Sequence, residues 1–330
     1  MKNANFRRLA GASVFALAFV AMVPQAAAYS RLVVFGDSLS DSGNNAAVGL
    51  FDPAQTVTGN TYVPSFTYGP VGTYSNGPVW ATDFAAALGL SASPSLVGGS
   101  NFAFGGATTS GAGFPYSLTV QVGQFLAAVG NNAPSDALYV VAGGGNNARA
   151  AGAALAAPGL SFGQQVSIIS SNASNFATDI GGIVDSLQAA GAHDIIVWNT
   201  PNLGLSPFAG ATGTQGVSTL LASTMNDALG YRLASETGVK TFDIFGLVSL
   251  IIANKAAYGL VNTTDACGAA INNCDPVTAL FWDGIHPTAK GHQLIADALL
   301  VTAVPEPESF ALMSLGLVVV GFAARRRKLR

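Results

Sequence analysis

Leu32-Val33-Val34-Phe35 is a short apolar run without polar alternation, closed by Gly36. The same unit returns as Leu138-Tyr139-Val140-Val141 before Gly143-Gly144-Gly145, and as Ile195-Ile196-Val197-Trp198 before Asn199-Thr200-Pro201. A strand with water on one face alternates apolar and polar residues. An unbroken run must be covered on both faces, which is the position of a strand inside a parallel sheet. Asn101-Phe102-Ala103-Phe104 and Thr241-Phe242-Asp243-Ile244 are weaker candidates for the same role. Helix-length segments fill the intervals. Asn76 is placed to cap a helix to about Leu88, and Phe176 to Ala190 puts Ile180, Ile183, Val184 and Leu187 on one face. Further helices are predicted from about Ser218 to Ser235 and from Ala289 to Val301, the latter with Leu294, Ile295, Ala298 and Leu299 inward. Strands alternating with helices predict an α/β fold, a three-layer α/β/α sandwich.

Between these elements lie stretches rich in Gly, Ser, Thr and Asn, at about 45–75, 111–117, 148–161 and 206–216. They predict the loops that wall a pocket, with Tyr62, Phe66, Tyr68, Phe114 and Tyr116 among their aromatics. Solubility rests on these uncharged polar groups, because only 9% of residues are charged against roughly 25% in ordinary soluble proteins. Coiled coils and charge-rich disorder are thereby excluded. Between Tyr29 and Ala303 there are six lysines and arginines against fifteen acids, a formal charge of −9. A body so acidic has no electrostatic footprint for nucleic acid.

The remaining basic residues mark the ends. Lys2, Arg7 and Arg8 precede an apolar run from Leu9 to Val23 and the triplet Ala26-Ala27-Ala28. A basic region, a short apolar stretch and a small-residue site predict a secretory signal peptide over residues 1–28, removed by signal peptidase. At the other end Val304-Pro305-Glu306-Pro307 leads into an apolar stretch from Phe310 to Ala324 and then Arg325, Arg326, Arg327, Lys328 and Arg330. Fifteen residues of helix reach about 22 Å, short of the roughly 30 Å hydrocarbon core unless the arginines snorkel. The segment over 304–330 resembles the PEP-CTERM sorting tail of Gram-negative bacteria. That resemblance implies processing by an exosortase and delivery to the cell surface or matrix, with transient anchoring as the only membrane contact. A permanent single-span anchor is the alternative. Residues 29–303 are left as one catalytic-sized domain.

Gly36-Asp37-Ser38-Leu39 follows the first strand directly, which sets Ser38 at the carboxyl end where open parallel sheets bind ligands. Serine needs a base to become nucleophilic, and the chain has three histidines. His193 precedes a strand and His292 sits inside the last helix. His286 lies in Asp283-Gly284-Ile285-His286-Pro287-Thr288, where Pro287 keeps it out of helical angles and Asp283 curls back to the imidazole. Thr288 is placed to cap the final helix. Gly105-Gly106 and the amide of Asn146 offer donors for an oxyanion. The other readings are weaker: Gly143–Gly145 does not complete a phosphate-binding Gly-x-Gly-x-x-Gly, and the spacing of His286 and His292 does not suit a metal on one helix face. Nor does any Gly-x-Ser-x-Gly occur.

Gly36-Asp37-Ser38-Leu39 with Asp41-Ser42-Gly43-Asn44, the Asn101–Ala107 segment, Gly144-Gly145-Asn146 and Asp283-Gly284-Ile285-His286 resemble, in order, the four blocks of GDSL (SGNH) hydrolases. Thr73–Gly77 and Phe281–Asp283 are similar to the phospholipase/lecithinase/haemolysin-type branch. The resemblance implies a flavodoxin-like sandwich with five parallel strands. It implies Ser38 as nucleophile and oxyanion donor, Gly106 and Asn146 as the other donors, and Asp283 with His286 as the dyad. One departure stands out: the family commonly has Asp after the oxyanion asparagine, where this chain has Asn147. A carboxylate is therefore expected to be missing behind that loop. Cys267 and Cys274 lie just before the dyad and, in an exported protein, are expected to pair; free thiols are the alternative. The implied activity is an exported esterase or lipase acting on a small ester or lipid, with no metal and no organic cofactor. A surface polysaccharide deacetylase of the same fold, or a silent surface or matrix binding protein, are the alternatives. The acidic body predicts a preference for neutral over anionic esters.

Overall fold

Residues 29–62, 66–69 and 71–303 are described by the structure, a computed structural model. The expectations for the two ends, the signal segment 1–28 and the tail 304–330, lie outside the described residues. In chain order the elements are β1 (Leu32–Gly36), α1 (Asn44–Ala47), α2 (Trp80–Ala87), α3 (Leu118–Ala128), β2 (Leu138–Ala142), α4 (Gly145–Leu155) and α5 (Phe162–Ala189). There follow β3 (Asp194–Trp198), α6 (Pro207–Thr212), α7 (Gln215–Leu233), β4 (Val239–Phe242), α8 (Ile244–Ala253), β5 (Asn262–Ala266), β6 (Ala279–Phe281) and α9 (Ala289–Ala303).

The first four strands form one parallel sheet in the order β1-β2-β3-β4, with Leu32 beside Leu138, Leu138 beside Asp194 and Ile195 beside Val239. Successive residues of a strand face opposite sides, and both sides are covered. Val33, Phe35, Tyr139, Val141, Ile195 and Val197 pack on α3, α4, α5 and α7 through side chains such as Leu118, Ala148, Phe176 and Met225. Leu32, Val34, Leu138, Val140, Ile196 and Trp198 pack on α2 and α9 through Trp80, Phe84, Ile295 and Leu299. The unbroken apolar runs thus have the physical cause assigned to them. The fifth position belongs to Ser100–Phe104 beside β1. Val34 N–H donates to Ser100 O (3.1 Å), Phe102 N–H to Val34 O (2.7 Å) and Phe104 N–H to Gly36 O (3.2 Å). This segment bridges in parallel only at Asn101, whose Oδ1 takes the Ala103 N–H (3.0 Å) and curls the chain before a full ladder forms. With it counted, the strand order is the flavodoxin-like 2-1-3-4-5.

Several elements depart from the sequence pattern. Helix α2 begins at Trp80, not near Asn76. Pro78 disfavours helical angles at Gly77, and Asn76 Oδ1 instead accepts the Ala289 N–H (2.8 Å), capping α9 from a distance. The stretch 148–161 is no loop but mostly α4, built from the best helix former. Helix α5 is 28 residues long and starts at Phe162, where Ser161 and Gln164 form a reciprocal cap. Asp243 follows β4 and caps α8 through the Gly246 N–H (2.8 Å), so the segment from 241 to 244 turns from strand to helix midway. A second, two-stranded parallel sheet pairs β5 with β6 just ahead of the 283–286 loop. Cys267 and Cys274 are joined by a disulfide beside it. Among the described residues no helix is long and apolar enough to cross a membrane.

Candidate active site

Asp37 folds the chain sharply as it leaves β1. Its carbonyl accepts the N–H groups of Ser40 and Asp41 (both 3.0 Å), and its Oδ1 accepts that of Leu39 (3.0 Å). The turn holds Ser38 at the strand's carboxyl end, 5% exposed. On the opposite wall Asp283 Oδ1 accepts the N–H groups of Ile285 (2.8 Å) and His286 (2.7 Å), and Trp282 N–H donates to His286 O (2.8 Å). These bonds fix a loop between β6 and α9, and Thr288 caps the helix by accepting the Gly291 N–H (3.0 Å).

The two walls meet through side chains. His286 Nδ1 lies 2.7 Å from Asp283 Oδ2, and Nε2 lies 2.8 Å from Ser38 Oγ. Asp283 and His286 are both fully buried. Burial pushes the Asp283 carboxyl up, but His286 and the backbone donors outweigh it and hold the group below its ordinary value. An ionised Asp283 selects the tautomer with the proton on Nδ1, leaving Nε2 to accept the Ser38 hydroxyl. A fourth donor, absent from the sequence reading in this role, is Tyr68, whose Oη donates to Asp283 Oδ2 (2.9 Å). Burial first, and then Asp283, push the Tyr68 phenol far above its usual range. Tyr62 and Tyr74 each bring a ring to 5.3 Å from the His286 ring. Phe114 and Tyr116 pack instead on Phe104, and Phe66 is exposed.

The oxyanion donors separate by what is already occupied. Gly105 N–H donates to Asp41 Oδ2 (3.0 Å), its carbonyl accepts from Asn45 Nδ2 (3.0 Å), and a side chain there would collide with the Tyr74 ring. Gly106 has φ +85°, a conformation that glycine adopts without strain, is exposed, and its N–H meets no partner among the described residues. Asn146, in the first turn of α4, donates one Nδ2 hydrogen to Ala107 O (2.9 Å), and its Oδ1 accepts from Arg149 Nη1 (3.2 Å). The second Nδ2 hydrogen remains. The Arg149 guanidinium rests 3.9 Å from the Tyr62 ring centroid. Burial pushes both Asp37 and Asp41 up to about 6, the former partly restrained by Leu39 N–H, His286 and Arg149.

Asn147 meets no carboxylate directly among the described residues, but reaches one on another helix through Thr109. Asn147 Oδ1 accepts the Thr109 N–H (3.1 Å) and Asn147 Nδ2 donates to Thr109 Oγ1 (2.9 Å). Thr109 Oγ1 then donates to Asp179 Oδ2 on α5 (2.6 Å), as does Ser110 Oγ (2.7 Å). Of the other histidines, His193 is exposed, while His292 is buried and driven down to about 3 by desolvation and by His286. Among the described residues no group of three or more His, Cys, Asp or Glu is placed to hold a metal ion. Ser38, Asn146 and His286 line a small cleft with mostly apolar walls, among them Leu39, Leu203 and Ile285.

The profile described as GDSL-like Lipase/Acylhydrolase matches residues 32–299, and the PEP-CTERM protein-sorting motif matches residues 303–328. Esterase EstA of Pseudomonas aeruginosa is 30% identical over 334 residues, covering 85% of this chain and 48% of that protein. The phosphatidylcholine-sterol acyltransferase of Aeromonas hydrophila is 26% identical over 261 residues, covering 76% of this chain and 70% of that one. An extracellular lipase from Streptomyces rimosus superposes with a TM-score of 0.44 at 18% identity, over 82% of this chain and 99% of its own. The chain spans about half the length of the first curated relatives it matches.

Proposed function

Since the chain belongs to the GDSL-like lipase/acylhydrolase family and carries a PEP-CTERM motif, we propose that it is an exported serine esterase that hydrolyses carboxylic esters through an acyl-enzyme on Ser38. The observation that carries this reading is the unbroken relay from Ser38 Oγ to His286 Nε2 (2.8 Å) and from His286 Nδ1 to Asp283 Oδ2 (2.7 Å). Ser38 Oγ bonds to the ester carbon as its proton passes to His286 Nε2, and the carbonyl electron pair moves onto oxygen. The N–H groups of Ser38 and Gly106 and the free Asn146 hydrogen receive that oxyanion. Asp283 stays ionised and carries the imidazolium through the step. Collapse breaks the carbon–oxygen bond to the alcohol, which leaves with the proton from His286. Water then repeats the sequence on the acyl-enzyme, returning the acid and free Ser38.

The motif at the C-terminus supports export, with residues 1–28 as the signal segment, 29–303 as the hydrolase and 304–330 as the sorting tail. On this reading signal peptidase and an exosortase-type enzyme are the processing partners, in a Gram-negative cell envelope. The test is hydrolysis of p-nitrophenyl esters by the full chain beside Ser38→Ala. Wild-type turnover no greater than the mutant's overturns the assignment. Asn146→Ala should lower kcat about 10²–10³-fold.

A further inference from the structure

A second cavity runs between α4, α6 and α7. Helix α4 and its C-terminal cap lay Ala148, Gly152 and Ala156 along one side of it, and Phe208 of α6 and Val217 of α7 face them. These α4 residues recur every fourth position, so they share one helix face, and their small size leaves the space between the helices open. The cavity adjoins the Ser38 cleft: Arg149, Leu203, Ser206 and Ile285 line both. Two contacts fix it relative to the reacting atoms. Phe208 N–H, at the start of α6, donates to Gly284 O (2.8 Å), which ties that wall to the loop carrying Asp283 and His286. Asn146 and the small-residue face belong to the same helix, α4. Arg149 is the one charged residue lining the groove among the described residues, and its guanidinium is held by Tyr62 and Asn146.

We propose that this groove is the acyl-chain site, and that the preferred substrate is an ester of a long, unbranched fatty acid. The assignment rests on the esterase reading and extends it to the substrate. The acyl group, unlike the alcohol, stays attached to Ser38 through both half-reactions, so a groove that binds it serves acylation and deacylation alike. Each methylene entering an apolar groove should raise kcat/KM about fourfold until the space is filled.

The experiment compares p-nitrophenyl butyrate with p-nitrophenyl dodecanoate on the full chain and on three variants. Ala153→Phe and Ala156→Phe place a ring in the groove from exposed positions, so either tests the idea if the other folds poorly. Ala154→Phe, exposed on the same helix but off the groove, is the control. The expected result is a loss of at least tenfold on dodecanoate for the two groove variants, with butyrate and the control unchanged. Equal losses on both esters, or none, overturn the proposal. Dodecyl acetate hydrolysed with the same sensitivity to the groove variants overturns the acyl assignment in favour of the alcohol. If wild type hydrolyses no ester, the esterase reading fails by itself. Binding of a fluorescent dodecanoate then decides the groove: weakening by Ala153→Phe and Ala156→Phe but not by Ala154→Phe supports it, and equal binding in all variants overturns it.

Discussion

Thr109 is gripped from two sides: the Asn147 amide takes its N–H and gives a hydrogen to its hydroxyl, and that hydroxyl donates onward to Asp179. The Thr109 hydroxyl has one hydrogen and gives it to Asp179, so towards the Asn147 amide it can only accept. An aspartate at position 147 would face the Thr109 hydroxyl with a second acceptor and leave one of the two unsatisfied. Asn147→Asp should therefore destabilise the loop by about 1–3 kcal/mol and lower kcat, whereas adding Asp179→Asn should recover most of both. Thermal unfolding and kcat of the two single variants and the double variant form the cycle that checks this; strict additivity would show that the residues do not act together. Tyr68 is a simpler case. Tyr68→Phe removes one charge-assisted bond to Asp283 Oδ2 and should reduce kcat roughly tenfold. Asp283→Asn, which loses the tautomer, should cost about 10³–10⁴. Steady-state rates on one ester rank the two, and an unimpaired Asp283→Asn would mean that another acceptor holds His286.

Elements were legible where burial wrote a pattern and opaque where it did not. Strands β1, β2 and β3 are covered on both faces, so their residues had to be apolar throughout, and the turn residues after them marked the carboxyl ends on which Ser38 and Asn146 stand. The 283–286 loop was readable for a local reason, because Asp283 and His286 lie three residues apart and close on each other. Helix α4 escaped because Ala and Gly carry almost no hydrophobic contrast, although the same residues shape the groove. Asn76, Tyr68 and Asp179 act on partners far along the chain, and no spacing rule reaches such pairs. Helix α9 carries a prediction of its own. His292 is buried in it and pushed down to about 3, from 6.5 in an open chain. Below pH 6.5 the unfolded chain binds a proton there that the folded chain refuses. Stability falls with pH by up to about 1.4 kcal/mol per unit until about pH 3. Asp37 and Asp41, raised from 3.8 to about 6, act oppositely, because the folded chain takes those protons first and gains stability as pH falls from 6. Comparing wild type with His292→Leu isolates the histidine: its Tm should drop less between pH 6.5 and pH 4, and parallel curves would refute the assignment.

At the scale of the whole molecule two electrostatic effects oppose each other. The body carries a formal charge of −9 with only six basic residues between Tyr29 and Ala303. One of those six, Arg149, stands on the Ser38 cleft. The net charge acts at long range and governs encounter, so it is screened as the Debye length shrinks from about 30 Å at 0.01 M salt to about 8 Å at 0.15 M. Arg149 acts at contact, in a half-buried setting where salt screens much less. A neutral ester should therefore exceed an anionic ester of the same acyl group in kcat/KM at low salt, and the ratio should narrow as salt rises. Arg149→Gln should widen the ratio at both salt concentrations, with the neutral ester as the internal reference for any disturbance of Asn146. Measuring the ratio at both concentrations separates the two effects. An anionic ester favoured at low salt would mean that one arginine at the site outweighs the field of the entire acidic body.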